Sequence, residues 1–433
     1  MTRAQLERAI RRALGAMDPA ERVAAALSGW SRGPDAHAPV SVIAIGKAAP
    51  AMAEGALRRL GDRIADVLVV TSDGTDASAI EDDPRVEIVR AAHPVPDRRS
   101  VAAATRCLGR ASARGREGGP VLVLISGGAS ALVCMPAPGV RLRDKQALTR
   151  AMLGSGASIQ DINVVRKHLS RIKGGGLARA ARPSPVSTLG LSDVLGGSVT
   201  DVGSGPGVGD PSTVAEARAL LRRHAPRLSG LPLVATGPAS NVSLARIVAS
   251  PDELARHVAR ELREAGLRVR VLAPSAAPVA DLAAEYLELA RRLRPGSAIV
   301  RAAEPSLEVP VSRARTGRGG RSTHLAALVG LSLPRGVRFI AAATDGVDGR
   351  SGTAGAHVDA TFREHASESA ILRALDRYDT GSLHRAAGTA LDARPSGHNL
   401  ADLHVLVRSR DGRAANVSRG PSSRRGRGAT WPD

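Results

Sequence analysis

Apolar and polar positions along this 433-residue chain follow two periods that take turns. Leu6, Ile10 and Leu14 recur at helical spacing among charged residues, which predicts an opening helix. Short, continuous apolar runs at 40–45, 67–70, 86–89 and 121–125 have the form of strands buried on both faces. Between them, 48–60 and 98–114 predict helices, followed by helices at 143–153 and 159–169 and a strand at 185–191. A Gly- and Pro-rich stretch, 203–212, must be loop. The pattern then predicts a helix at 214–223, a strand at 233–236, a helix at 251–265, a strand at 268–272 and a helix at 279–292. A second region opens near Gly296, with strands at 298–301, 307–311, 337–342 and 403–407 and a helix at 321–331.

This alternation is that of an α/β chain whose parallel sheet is covered on both faces. The length exceeds one ordinary core, so two domains are expected. Hydrophobic residues make up an ordinary 43%, but only Trp30, Tyr286, Phe339, Phe362, Tyr378 and Trp431 are aromatic. The core must therefore be Ala, Val, Leu and Ile. No apolar run reaches the roughly 18 residues of a membrane span, and the amphipathic N-terminus does not read as a signal peptide. Two cysteines, Cys107 and Cys134, are too few for a disulfide framework or a zinc site. A cytoplasmic protein is expected.

A net charge of +20 raises the question of nucleic acid. The excess is spread along the chain, apart from a Gly-, Ser- and Arg-rich tail, and no aromatics interleave with it to stack on bases. Specific nucleic-acid binding is not expected. The kind of basic residue says more. Of 61, only Lys47, Lys145, Lys167 and Lys173 are lysine. A lysine kept in so Arg-rich a chain points to a need for a compact, thin-stemmed ammonium. That argument favours function for Lys47, Lys167 and Lys173, which sit in dense motifs, and chance for Lys145 on an apparent surface helix.

Several predicted strands end in small or charged residues: Gly46-Lys47, Ser126-Gly127-Gly128-Ala129-Ser130, Ser192-Asp193 and Thr344-Asp345-Gly346. Ligands of parallel sheets bind beyond such strand ends, where glycines let N–H groups approach an anion. The stretch Asn163–Gly176 gathers Arg166, Lys167, Arg171 and Lys173 before three glycines, a pattern suited to carboxylate or phosphate oxygens. No P-loop occurs, because Gly46-Lys47 is followed by Ala48, and no G-x-G-x-x-G follows a strand. His93 and His168 lack partners in sequence and are read as structural.

Ile45-Gly46-Lys47-Ala48, His93-Pro94-Val95-Pro96-Asp97, Ser126–Leu132 and Asn163–Gly176 resemble, in order, the signatures of the glycerate 2-kinase family, also labelled hydroxypyruvate reductase. Ser192-Asp193-Val194, Ser204-Gly205-Pro206, Gly319-Gly320-Arg321 and Thr344–Gly349 continue the match. The resemblance implies a Rossmann-like N-terminal domain over 1–290 and a smaller leucine-rich α/β domain over 291–410. The active site would lie in the cleft between them, and 411–433 would be a disordered basic tail. It implies ATP and Mg2+ as cofactors and glycerate as the small-molecule substrate, with no membrane partner and a homodimer as one assembly. Lys47 and Arg321 become the catalytic cations. Asp193 is cast as catalytic or metal-binding and Asp345 as metal-binding. Ser126, Gly127, Gly128, Ser130, Arg166 and Lys173 are cast in substrate and phosphate binding. The match weakens at Ala302-Ala303-Glu304, Ser322-Thr323-His324, Gly196-Gly197 and Gly397–Leu400. Two alternatives stay open: a nicotinamide-dependent hydroxypyruvate reductase, and a non-catalytic nucleotide-binding homologue.

Overall fold

The apolar runs up to residue 191 that read as strands all pair into one sheet, whereas the run at 233–236 does not. The computed structural model describes residues 1–32, 38–309, 317–393 and 399–410, so the expected tail and Gly397-His398 lie outside the described residues. The first sheet contains β1 (Val40–Ile45), β2 (Ile64–Ser72), β3 (Val86–Ala91), β4 (Val121–Ile125), β5 (Val186–Leu191) and β6 (Val242–Ala249). Its order is β3-β2-β1-β4-β5-β6, with every neighbour parallel. β1, β4 and β5 are buried at every residue, which is why they read as unbroken apolar runs. The helix Ala49–Leu60 buries Met52, Ala53 and Ala56, and Arg98–Glu117 buries Ala103, Ala104 and Cys107. These small side chains let helices sit close on the sheet in the near absence of aromatics.

Residues 233–236 do not form the expected strand. The Val234 N–H donates to the His168 carbonyl at 2.8 Å, and the Thr236 hydroxyl donates to Asp210 at 2.8 Å. The sixth strand is instead β6, an edge strand exposed over residues 243–246, so its sequence lacks the pattern of a buried strand.

The second sheet contains β7 (Arg268–Val271), β8 (Ser297–Ala303), β9 (Val337–Ala343), β10 (Gly355–Asp359), β11 (Ala390–Leu391) and β12 (Asp402–Arg408). Its order is β11-β10-β9-β12-β8-β7, parallel only between β7 and β8. The strand expected at 307–311 is absent from 307–309, and 310–311 lie outside the described residues. The helices Val279–Arg292 and Arg321–Gly330 pack together on this sheet. The α/β class, with a parallel sheet and a second, smaller sheet domain, is as the sequence led us to expect.

Two elements belong to the second sheet although they precede residue 291. β7 pairs with β8, and helix Pro251–Glu264 packs against both. The N-terminal helix Arg3–Gly15 packs on Pro251–Glu264, and Arg3 donates at 2.7 Å to the carbonyls of Gly388 and Ala390. We therefore propose that the domain division falls ahead of helix Pro251–Glu264 rather than after residue 290. Among the described residues no helix is long and apolar enough to cross a membrane.

Candidate functional site

The strand order of the first sheet reverses between β1 and β4, and the crevice beyond their carboxyl ends is where such sheets bind ligands. Both chain ends there are tied together. The Lys47 N–H donates to the Gly127 carbonyl at 3.0 Å, and the Ala48 N–H donates to Ser126 Oγ at 3.1 Å. Gly46 has φ of +134°, and a Cβ there would lie 2.0 Å from Ser126 Oγ, so only glycine allows the two turns to meet. The backbone of this junction is buried, yet the Lys47 side chain is exposed beyond it.

Three ionisable groups gather around the glycines. A Cβ on Gly128 would lie 3.2 Å from His93 and 3.3 Å from Lys47, and one on Gly127 would lie 2.5 Å from the Asp193 carboxylate. Burial raises the Asp193 pKa above the ordinary carboxylate value, against the pull of its own N–H and of the Lys47 charge. Desolvation, then the Lys47 charge, lowers that of His93. His93 is therefore not the structural histidine expected from the sequence but an exposed group at the rim of the site. His168 is structural: it is buried, with its ring nitrogens 2.8 Å from the Val234 carbonyl and 3.2 Å from Ser212.

Beside Gly128 and Ser130 lies a cavity of about 350 Å³. Lys145, Arg150, Arg166 and Lys173 line it, and no Asp or Glu does. Lys173 is buried and donates at 3.0 Å to Ser130 Oγ and to the Gly203 carbonyl. Burial, then the charges of Lys145 and Arg166, drive its pKa well below the ordinary lysine value. Arg166 is half-buried and likewise lowered by burial.

Two of the four lysines differ from expectation. Lys145 is not on the surface: it is 6% exposed, points inward with Leu148 and Met152, and donates to the Leu169 carbonyl. The i, i+3, i+7 spacing of these three residues was the signal that could have found it. Lys167 is turned away from the cavity and forms a buried ion pair with Asp210 at 3.1 Å, where Ser212 and Thr236 also donate. It is a structural lysine.

A second set of groups assembles at one end of the other sheet. Arg321 is the first residue of helix Arg321–Gly330, and its guanidinium lies 3.5 Å from both Glu304 and Asp402. Antiparallel pairing places Asp402 opposite Ala303 of β8 and Ala343 of β9. Burial raises the Asp402 pKa to about 7, opposed by Arg321 and assisted by Asp348 and Glu304. Asp345 is exposed at the end of β9, accepting from the Val347 N–H at 3.1 Å. Asp345 and Asp402 line, with Arg321, His324 and Asn399, a cavity of about 610 Å³. His324, at a departure from the family pattern, stacks on Tyr378 at 5.6 Å. Asp348 accepts from the N–H groups of Ser322 and Thr323, which fixes the start of the helix that carries Arg321.

Lys47, Asp193, Ser126, Gly127, Gly128, Ser130, Arg166 and Lys173 thus surround the first crevice and its cavity, whereas Arg321 and Asp345 line the second. His93, Lys145, Asp402 and Glu304 are the additions. Among the described residues no three His, Cys, Asp or Glu side chains are grouped to hold a metal ion. Magnesium needs only one or two carboxylates beside phosphate oxygens and water, so a lone Asp193 or Asp345 fits a nucleotide-borne ion.

Two protein families match separate parts of the chain. Residues 5–232 match a family described as a domain of unknown function (DUF4147), and residues 297–402 match the MOFRL family. A protein of Agrobacterium vitis named putative hydroxypyruvate reductase is 33% identical over 84% of this chain and 98% of its own. The D-glycerate 2-kinase of Thermotoga maritima is 32% identical over 84% of this chain and 90% of its own. The crystal structure of glycerate kinase from Thermotoga maritima superposes with a TM-score of 0.80 at 30% identity, covering 93% of this chain and 98% of that one.

Proposed function

Because the chain belongs to the glycerate 2-kinase family of enzymes, we propose that it transfers a phosphoryl group from ATP to the 2-hydroxyl of D-glycerate, giving 2-phosphoglycerate. The observation that carries this reading is the exposed Lys47 at the strand-order reversal, beside a cavity whose charged lining among the described residues is cationic. Phosphoryl transfer asks a protein mainly for charge neutralisation and alignment. A point ammonium at a strand end supplies the first, and a cationic cavity for the acceptor's carboxylate supplies the second.

In this mechanism Lys47 and Arg321 neutralise the transferring group from the two sides of an interdomain cleft. The N–H groups of the Ser126–Ser130 turn bind phosphate oxygens, and Arg166 and Lys173 hold the glycerate carboxylate. Asp193, made a better proton acceptor by burial, orients the acceptor hydroxyl. Asp193 or Asp345 would hold magnesium, which would supply further neutralisation of the nucleotide phosphates. Closure of the cleft excludes the water that would otherwise divert the phosphoryl group. Dependence on ATP implies a cytoplasmic location.

A phosphorus NMR assay of ATP with D-glycerate tests the reading and distinguishes the 2-phosphate from the 3-phosphate. Formation of 2-phosphoglycerate is the expected result. No phosphorylated product, together with NADH oxidation in the presence of hydroxypyruvate, would replace the reading with the reductase that some relatives are named for.

A further inference from the structure

Four cations line one cavity, and among the described residues no acid lines it with them. Among the described residues, Lys145, Arg166 and Lys173 have no carboxylate within ion-pair distance, although all three line the same space of about 350 Å³. Lys145 is the telling member. It takes an inward position on helix Leu142–Gly154, in line with Leu148 and Met152, where an apolar residue would pack without loss. Its ammonium can donate three hydrogen bonds, and one is made, to the Leu169 carbonyl at 2.9 Å. A buried ammonium without counter-charge is costly, so its presence on a core stripe points to an anion that comes and goes.

We infer that Lys145 completes an anion cage with Arg166 and Lys173, and that the cage binds the carboxylate of a small hydroxy acid. The identity of that acid rests on the kinase reading above. The charge of the ligand rests on the cavity alone. A volume of this size is at the low end of small-molecule sites and suits a three-carbon acid rather than a nucleotide. The lysine count also finds a reason here. A lysine can sit buried between visits of its ligand by releasing a proton, whereas arginine keeps its charge.

Proton exchange then reports on the cage. Burial, with Arg166 adding to it, lowers the Lys145 pKa to about 8, and Lys173 lies well below its ordinary value. The groups that face this pair are Arg166 from its own helix, Arg150, Cys134 and His93 at the rim. Of these groups only Cys134 favours the charged lysines, and burial together with Arg166 outweighs it. An entering carboxylate supplies the missing charge and draws a proton onto the lysines.

Isothermal titration calorimetry of D-glycerate without nucleotide, at pH 8 in two buffers of different ionisation heat, tests this on wild type, Lys145→Met and Lys145→Arg. Wild type should take up protons on binding. Lys145→Met should bind D-glycerate about ten- to a hundredfold more weakly, the range of one charged hydrogen bond. Lys145→Arg should recover part of that loss, and the neutral triol glycerol should be indifferent to residue 145. In turnover assays the loss should fall on KM for D-glycerate, with KM for ATP unchanged. Lys145→Gln, which keeps a donor for the Leu169 carbonyl, carries the same test if Lys145→Met does not fold. Unchanged D-glycerate affinity in either folded variant overturns the cage, and equal heats in the two buffers overturn the proton uptake. Binding that depends on Lys145 without phosphoryl transfer would leave the cage standing and sink the kinase reading. Turnover of D-glycerate with an unaltered KM in Lys145→Met would do the reverse.

Discussion

Arg321 and Asp402 stand 3.5 Å apart at the second cavity, the arginine part-exposed and the carboxylate buried. One oxygen of Asp402 faces the guanidinium, and the other makes no hydrogen bond. Asp402 therefore positions Arg321 at the expense of its own solvation. Its pKa in the folded chain is raised from 3.8 to about 7, so the folded state favours the protonated acid. The stability linked to this group is full below pH 3.8 and is lost as the pH rises through 7.

Replacing Asp402 with Asn should accordingly separate stability from function. The melting temperature of Asp402→Asn should exceed that of wild type at pH 8, with the difference shrinking toward pH 4. Turnover should fall about tenfold at pH 8, as Arg321 loses the charge that holds it. Thermal melts across this range, beside kcat, check both halves. A variant less stable than wild type at pH 8 would mean that the Asp402–Arg321 attraction outweighs the cost of burial.

Lys47→Arg and Lys47→Ala should both fold, because the side chain is exposed. Both should lose about two to three orders of magnitude in kcat, the scale of removing one preorganised donor. In a chain this rich in arginine a merely basic requirement could have been met by Arg, so the lysine points to a need for a compact ammonium rather than a planar guanidinium. Near-wild-type kcat in Lys47→Arg would reduce Lys47 to a generic positive charge.

Lys167→Met should show the opposite profile. It strips the buried Asp210 of its ion-pair partner, which costs about 3 kcal/mol in comparable buried pairs. Burial raises the Asp210 pKa, but hydrogen bonds from Thr236 and Ser212 and the Lys167 charge bring it, on balance, below the ordinary value. The stability from this carboxylate is thus present above pH 3.8 and lost as the pH falls through its lowered pKa. Denaturant unfolding should report the loss at pH 7, with kcat and KM of the folded fraction near those of wild type. A variant of unchanged stability and reduced kcat would return Lys167 to the site.

Asp193→Asn should keep D-glycerate binding and lose most turnover, since a neutral amide neither accepts a proton nor offsets magnesium. Asp345→Asn should be milder, its effect showing as a higher magnesium requirement. Steady-state kinetics over a magnesium series distinguishes the two, and the reverse ranking would exchange the acidic roles.

The sequence by itself determined the elements whose burial is complete. Runs such as 40–45, 121–125 and 186–191 have only one way to satisfy so many apolar side chains, a strand covered on both faces, and each is in place. It also marked the strand-end turns at Gly46-Lys47, Ser126–Ser130 and Thr344–Gly346, because small residues beside a charge leave a local trace. What it left undecided depends on partners far away in the chain. β6 is an exposed edge, held by pairing with β5 rather than by its own pattern. Asp402 acquires a role only because antiparallel pairing sets it opposite Ala303 and Ala343, within reach of Arg321. Only the tertiary structure sorted the four lysines into one exposed at a strand end, one neutralised by Asp210, and two turned into a cavity without acids. Charge is written in the residue, but its cost and its use are set by burial and by the neighbours that folding supplies.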